Sequence, residues 1–514
     1  MVTAPVIRAT GIELDDIQGI IVRGYGALHH ARYVLLRVQD GGAAAARAWL
    51  GELAERVRDG TVRPQSHESC VNAAFTHSGL AALGLPEAVL DGFAPEFREG
   101  MITPHRQRML GDHGRSAPSQ WRWGGSNGDN GAADVHMMLA LYAGSAEALD
   151  GLHRELSAGF SSAGWRELLP LSTIRLPDQR EHFGFRDGVA QPWIRGKLVD
   201  DRRDGSERDV PAGNVIAAGE FLLGYDNEYG ELPASPTVPA AGDPEGVLEN
   251  AAGATGQRDL GRNGSYMVFR QLRQDVVGFW RYVDQRITER QESVPGNDRV
   301  WLASKMVGRW PSGAPLSLYP DADPAVAEPH RPKDDYQFAD NFGYAADDRD
   351  GQICPRGSHI RRTNPRDVIA EDPAEAVVIA KRHRILRRGR AFGDPIDPSM
   401  DPAKLLAGPD EGERGLHFVC FNTNIGRQFE FIQQTWANNQ KFAGLYEDAD
   451  PLIGDHDPRW REDEGLEPET GSFTVPGCPF RFRTSGMPRF VDVLGGAYFF
   501  MPGKRALRWL ASLP

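Results

Sequence analysis

Two apolar patterns alternate along the chain: short, nearly continuous runs, and longer stretches at helical spacing. Arg32 to Val38 (RYVLLRV) is a run of the first kind and predicts a strand. Ala43 to Val57 (AAAARAWLGELAERV) has the spacing and composition of a helix. Asp134 to Ala143 predicts a second strand, and the segment after it opens on Ser145 as an N-cap and continues as helix. Glu231 to Gly264 is rich in Pro, Gly and Ala and predicts a long irregular loop. Beyond it YMVFRQL reads as strand, and QDVVGFWRYVDQRI as a helix with Val276, Phe279, Trp280, Val283 and Ile287 on one face. LHFVCF, FEFIQQTWANN and GAYFFMP then renew the same kinds of element, without a repeat of fixed period. The alternation predicts an α+β chain of two ferredoxin-like domains, residues 1–210 and 211–514.

Composition adds exclusions. A 514-residue chain with 40% hydrophobic and 25% charged residues is ordinary for a soluble protein and can enclose a large core and a cofactor. A net charge of −13 argues against nucleic acid as a partner and against anionic membranes. No apolar run approaches the length of a membrane span. Cys70, Cys354, Cys420 and Cys478 form no CxxC pair, which excludes a zinc ribbon, and no CxxCH, which excludes covalently attached c-type haem. Few cysteines and an N-terminus without an apolar signal core predict a cytoplasmic protein.

Three stretches carry chemistry. In EHFGFRDGVAQPW, from Glu181, Asp187 stands between glycines, aromatics and an arginine. Taken alone, its Asp-Gly pair is a turn signal. In CPRGSHIRRTNPRD, Gly357 and Asn364-Pro365 are turn residues that would hold His359 in one direction, as an axial metal ligand requires. In KRHRILRRGRAFG the plain reading is a solvated basic face or an anion-binding patch. Apolar Ile385-Leu386 and Ala391-Phe392 flank Arg387, however, and would turn it inward, where a guanidinium needs an anionic partner.

Together, in this order, the three stretches resemble the signature segments of the dye-decolorizing (DyP-type) haem peroxidases. DIQGIIVRGYG, AFTHSGLAALGLP, FLLGYDNEYG, KMVGRWPSGAPL, FEFIQQTWANN and GGAYFFMP fit the same family, so the likeness runs from about residue 14 to residue 502. Length and long loops resemble its larger bacterial subgroup. Arg390-Ala391 stands where relatives often have an apolar residue followed by proline.

The resemblance implies a dimeric α+β barrel-like fold with antiparallel sheets and peripheral helices. One non-covalent haem b per chain would be held mainly by the C-terminal domain. It implies His359 as the axial ligand of the haem iron, with a carboxylate on its other ring nitrogen. Asp450 matches that position, with Asp448 and Glu430 as other candidates. Asp187 becomes the distal proton carrier and Arg387 the distal charge. Leu416 and Phe418 become apolar distal residues, and Gly184 and Gly188 let the backbone approach the porphyrin. Trp436 resembles a surface electron relay, with a packing tryptophan as the alternative. The implied activity is reduction of hydrogen peroxide with one-electron oxidation of dyes, phenols or Mn(II). A haem-binding or haem-handling protein on the same scaffold would need His359 but not the Asp187–Arg387 pair. A homo-oligomer is compatible with the sequence.

Overall fold

The structure is a computed structural model that describes residues 11–126, 134–196, 210–289, 298–408, 411–456, 460–461, 465–466, 471–477 and 480–514. Cys478 lies outside them; Cys70, Cys354 and Cys420 are buried and unpaired.

Nine strands form one antiparallel sheet: β1 (His30–Val38), β2 (Ser69–Phe75), β3 (Met137–Ala143), β4 (Trp165–Ser172), β5 (Ser265–Gln274), β6 (Leu386–Arg387), β7 (Arg390–Phe392), β8 (Gly415–Asn422) and β9 (Val491–Met501). The order is β6-β8-β5-β9-β2-β3-β1-β4, with β7 also on β8. The first four strands, with α1 (Ala43–Arg56) and α2 (Ala146–Ser157) as crossovers, form a βαββαβ unit ordered β2-β3-β1-β4. The later strands repeat that order, with α3 (Val276–Thr288) following β5 and helical turns Gly426–Glu430 and Ile432–Ala437 following β8. Each half is ferredoxin-like, as expected. The halves meet where Phe500 of β9 pairs with Phe75 of β2.

Both faces of the sheet are covered, which is why its strands read as nearly continuous apolar runs. In β1, Val34, Leu36 and Val38 enter the core under α1 and α2, while Tyr33 and Leu35 enter a second core on the opposite face. Ser145 caps α2 by accepting the Ala148 N–H, as predicted. Val276, Phe279, Trp280 and Val283 of α3 are buried, with Ile287 packed against them. The segment expected to be one irregular loop holds a short hairpin, Thr237–Pro239 with Gln257–Asp259. The C-terminal helix α4 (Lys504–Ala511) crosses back: Leu507 and Leu510 join Leu50 and Leu53 of α1 in one core. No described helix is long and apolar enough to cross a membrane.

Candidate active site

His359 opens a short helix, His359–Thr363, and the residues after it secure its direction. Arg361, 2% exposed, donates to the carboxylate of Asp348 and to the carbonyls of Asp348, Arg349 and Cys354. Asp348 also accepts the N–H groups of Ile353 and Cys354, which closes the loop before the histidine. Arg362 is wholly buried and donates to the carbonyls of Trp436, Asn439 and Asp448. One arginine therefore braces the loop that leads into His359, and the next braces the segment that faces it.

That segment ends in Asp450. Its Oδ2 lies 2.9 Å from Nδ1 of His359, while Oδ1 accepts the N–H groups of Leu452 and Ile453. Burial pushes the Asp450 carboxyl up, but the charge and hydrogen bond of His359 outweigh it and hold the group below the usual carboxylate range. Burial likewise works against the charged imidazole, and Asp450 outweighs it, so the His359 pKa rises. The other carboxylates are engaged elsewhere. Glu430 pairs with Arg106 at 2.6 Å and accepts from Tyr498, and Asp448 accepts from Ser472. His456, which no sequence signal singled out, donates from Nε2 to the Asp450 carbonyl at 2.7 Å.

Asp187 comes from the first half of the chain. Its loop is anchored by Phe183 and Phe185, both buried; Phe183 packs 4.7 Å from Phe279, and Trp280 donates to the Phe183 carbonyl. The Asp187 N–H donates to the carbonyl of Gln179. Gly184 and Gly188 have φ of +97° and +76°. Positive φ at both positions is a conformation that glycine adopts without strain. Gly184→Ala is expected to destabilise the protein by about 1–2 kcal/mol, the cost of a left-handed non-glycine residue, read as a lower urea midpoint at unchanged slope.

Arg387 donates to Oδ1 of Asp187 at 2.8 Å, and the same oxygen accepts the Gly188 N–H at 2.6 Å. Oδ2 is left without a hydrogen bond among the described residues. Burial raises the Asp187 pKa, but Arg387 and the Gly188 amide outweigh it, and the group stays below its ordinary value. Gln191 accepts the Arg387 backbone N–H and ties β6 to the Asp187 loop. Arg387 pairs with Cys420 across the ladder, so it shares a face with Cys420, Phe418 and Leu416 of β8. Both Leu416 and Phe418 are half-buried. Three other cations of the run are engaged within the protein: Arg388 donates to the carbonyls of Ile20 and Ile21, Arg390 to those of Tyr25 and His29, and Lys381 pairs with Glu228.

The side chains of His359 and Asp187 keep 26% and 39% of their surface accessible. Both Asp187 and Arg387 bear on the charge of His359. The Nε2 of His359 has no hydrogen bond among the described residues. Nor has one amino group of Arg384, a residue 7% exposed whose other amino group donates to Asn214. Burial, with Arg366 and Arg387 nearby, pushes the Arg384 pKa down to about 10. A cavity of about 170 Å³ is lined by Leu386, Arg388, Gln191, Trp193 and Ile194, and by Asn214, the partner of Arg384.

Trp436 is 3% exposed, packed among Phe431, Phe442 and His383, so it offers no surface to a bulky reductant. Among the described residues no group of three or more His, Cys, Asp or Glu is placed to hold a metal ion, so no Mn(II) position is located there.

No protein-family model matches the chain. Among curated proteins it is 30% identical to a multifunctional dye peroxidase of Amycolatopsis sp., over 97% of this chain and 96% of that one. It is 27% identical to a dye-decolorizing peroxidase of Auricularia auricula-judae, over 97% of this chain and 87% of the relative. Among solved structures, a DyP-type peroxidase of Auricularia auricula-judae superposes with a TM-score of 0.72 at 25% identity, covering 98% of this chain and 100% of that one. A dye-decolorizing peroxidase in complex with 2,6-dimethoxyphenol superposes with a TM-score of 0.70 at 27% identity, covering 98% and 100%.

Proposed function

The chain belongs to the dye-decolorizing peroxidase family and is a haem peroxidase; from that premise we propose that His359 would hold the iron of a non-covalent haem b and that Asp187 and Arg387 would act on the peroxide. The donor set fits the group: an imidazole with one nitrogen fixed by Asp450 and the other without a hydrogen bond among the described residues, and a buried guanidinium with an unused donor. Arg384 would meet a haem carboxylate there. The haem, when bound, supplies an iron centre that exchanges electrons with peroxide.

The rest is the work of side chains. Asp450 keeps the His359 proton on Nδ1 and makes the imidazole a stronger donor at Nε2. Asp187 has Oδ1 occupied and Oδ2 open, so Oδ2 takes the proton from the attacking peroxide oxygen and returns it to the departing one. Arg387 holds a charge at every accessible pH and stabilises negative charge as the O–O bond breaks. Two protons and two electrons convert hydrogen peroxide to two waters, the electrons coming singly from two reductant molecules. Phenols and dyes suit such one-electron loss, in keeping with the names of the relatives.

The observation that supports this reading best is the 2.8 Å Asp187–Arg387 pair, which a haem carrier would not need. The test is the absorption spectrum of purified protein before and after one equivalent of peroxide. A Soret band that changes and then recovers on adding a phenol is the expected result; haem that stays inert to peroxide would return the chain to a haem-handling role.

A further inference from the structure

Glu181 opens the stretch that carries Asp187 and has no role in the chemistry above. Its carboxylate is nonetheless the hub of that loop. Oε2 accepts the Phe183 N–H at 2.8 Å and the side-chain amide of Gln274 at 2.6 Å, and Oε1 accepts the Phe185 N–H at 3.0 Å. Its own backbone closes the same loop: the Glu181 N–H donates to the Phe185 carbonyl, and the Gly184 N–H donates to the Glu181 carbonyl. Gln274 ends β5, so the side-chain bond fastens a loop of the first half to the sheet of the second.

The electrostatics are unusual for a purely structural carboxylate. All three donors are neutral amides, and no cation hydrogen-bonds Glu181 among the described residues. Burial pushes its carboxyl up to about 7, against the pull of those hydrogen bonds, and the charge of Asp187 pushes the same way. His182 beside it is held neutral by burial, with a pKa down to about 4. An uncompensated carboxylate costs stability where a neutral residue would not. Asp187 gains from it: Phe185 stands two residues away, and its amide is fixed by Oε1.

We propose that Glu181 is a positioning residue of the peroxide site, clamping the Phe183 and Phe185 amides so that the Asp187 carboxylate is held against Arg387. This rests on the reading of Asp187 as the distal proton carrier. The clamp acts through Asp187 alone, and that makes it separable from a general contribution to folding.

The test uses the haem-loaded protein and cyanide. Hydrogen cyanide must lose a proton as it binds ferric haem, so its association rate reads Asp187 without turnover. Glu181→Gln keeps the size of the side chain but leaves one acceptor oxygen where two are needed. Its cyanide association rate is expected to fall on the order of tenfold, inside the hundredfold that a misplacement of about 1 Å can cost. The bound-cyanide infrared stretch should shift, and amide exchange at Phe183 and Phe185 should quicken. In an Asp187→Asn background the same substitution is expected to change the rate by less than about twofold, because the group it acts through is gone. A Glu181→Gln rate equal to the parent's overturns the proposal. So does an equal loss in both backgrounds, which would make Glu181 a general structural residue. Should Glu181→Gln fail to fold, Gln274→Leu removes one of the three donors; a loss confined to the Asp187 background supports the clamp, and no loss overturns it. If Asp187→Asn alone binds cyanide as the parent does, the distal reading of Asp187 falls and the proposal with it; if that variant is slow and Glu181→Gln is not, only the proposal falls.

Discussion

His359→Ala is expected to give a folded protein with little haem, no Soret band and peroxidase activity at background. The neighbouring Arg361 and Arg362 do not replace the imidazole, because a guanidinium has no lone pair to give a metal and both are committed to carbonyls and to Asp348. The substitution also strands Asp450, whose side chain is 0% exposed and would keep only the amides of Leu452 and Ile453. Removing one partner of a buried ion pair costs about 3–5 kcal/mol. The sign of the pH dependence follows. In the parent Asp450 is held below its ordinary pKa, so its stabilisation is present above about pH 4, the unfolded value, and is lost as pH falls through the lower folded value. In the variant that stabilisation is missing at neutral pH, and the gap to the parent narrows in acid as Asp450 takes up a proton. Haem titration and urea unfolding at pH 7 and pH 4 measure both effects; full haem occupancy with the parent's spectrum would remove His359 from the role.

The second large effect separates the distal pair. Loss of one electrostatic donor costs on the order of 10²–10³ in rate, and loss of a positioned proton carrier about 10²–10⁴. These ranges overlap, so the two residues are ranked by pH response. Arg387→Leu is expected to react slowly with peroxide at every pH while an acidic limb remains. That limb should move up in pH, because Arg387 is what holds the Asp187 carboxyl low. Asp187→Asn is expected to lose the limb, because the group whose protonation produces it is gone. In the parent the limb lies below about pH 4, since the Asp187 pKa is depressed from the ordinary carboxylate value. Stopped-flow haem absorbance against peroxide from pH 3 to 8 decides the matter. An Asp187→Asn profile identical to the parent's would make Asp187 a turn residue only.

The periodicity of β1, α1, α2, β5, α3 and β8 was legible because each buries an apolar face whose spacing the sequence displays. The three chemical stretches were legible because their residue types are costly to keep without a partner. The partners themselves were not. Asp450 was the matched candidate, with Asp448 and Glu430 beside it, and geometry gave Glu430 to Arg106, a residue 324 positions away. Trp436 looked like a relay by its neighbours in sequence, but exposure is set by what packs over a side chain, here Phe431 and Phe442. Gln191 acts on a backbone amide 196 positions away and Glu181 on a side chain 93 positions away, and such contacts leave no pattern in composition or spacing.

The pairing of β9 with β2 means that the two halves are joined through the sheet itself, and Asp187 and Arg387 belong to different halves, 200 positions apart. Closing so long a loop carries an entropic cost that grows only slowly with length, but it must be met before the contact returns anything. The Asp187–Arg387 contact therefore exists only when both halves are in place. Reactivity toward peroxide thus doubles as a gauge of assembly. A chain whose halves have each folded but not docked would keep the His359–Asp450 pair and lack the Asp187–Arg387 pair, to which splitting of the O–O bond is assigned under the proposed function.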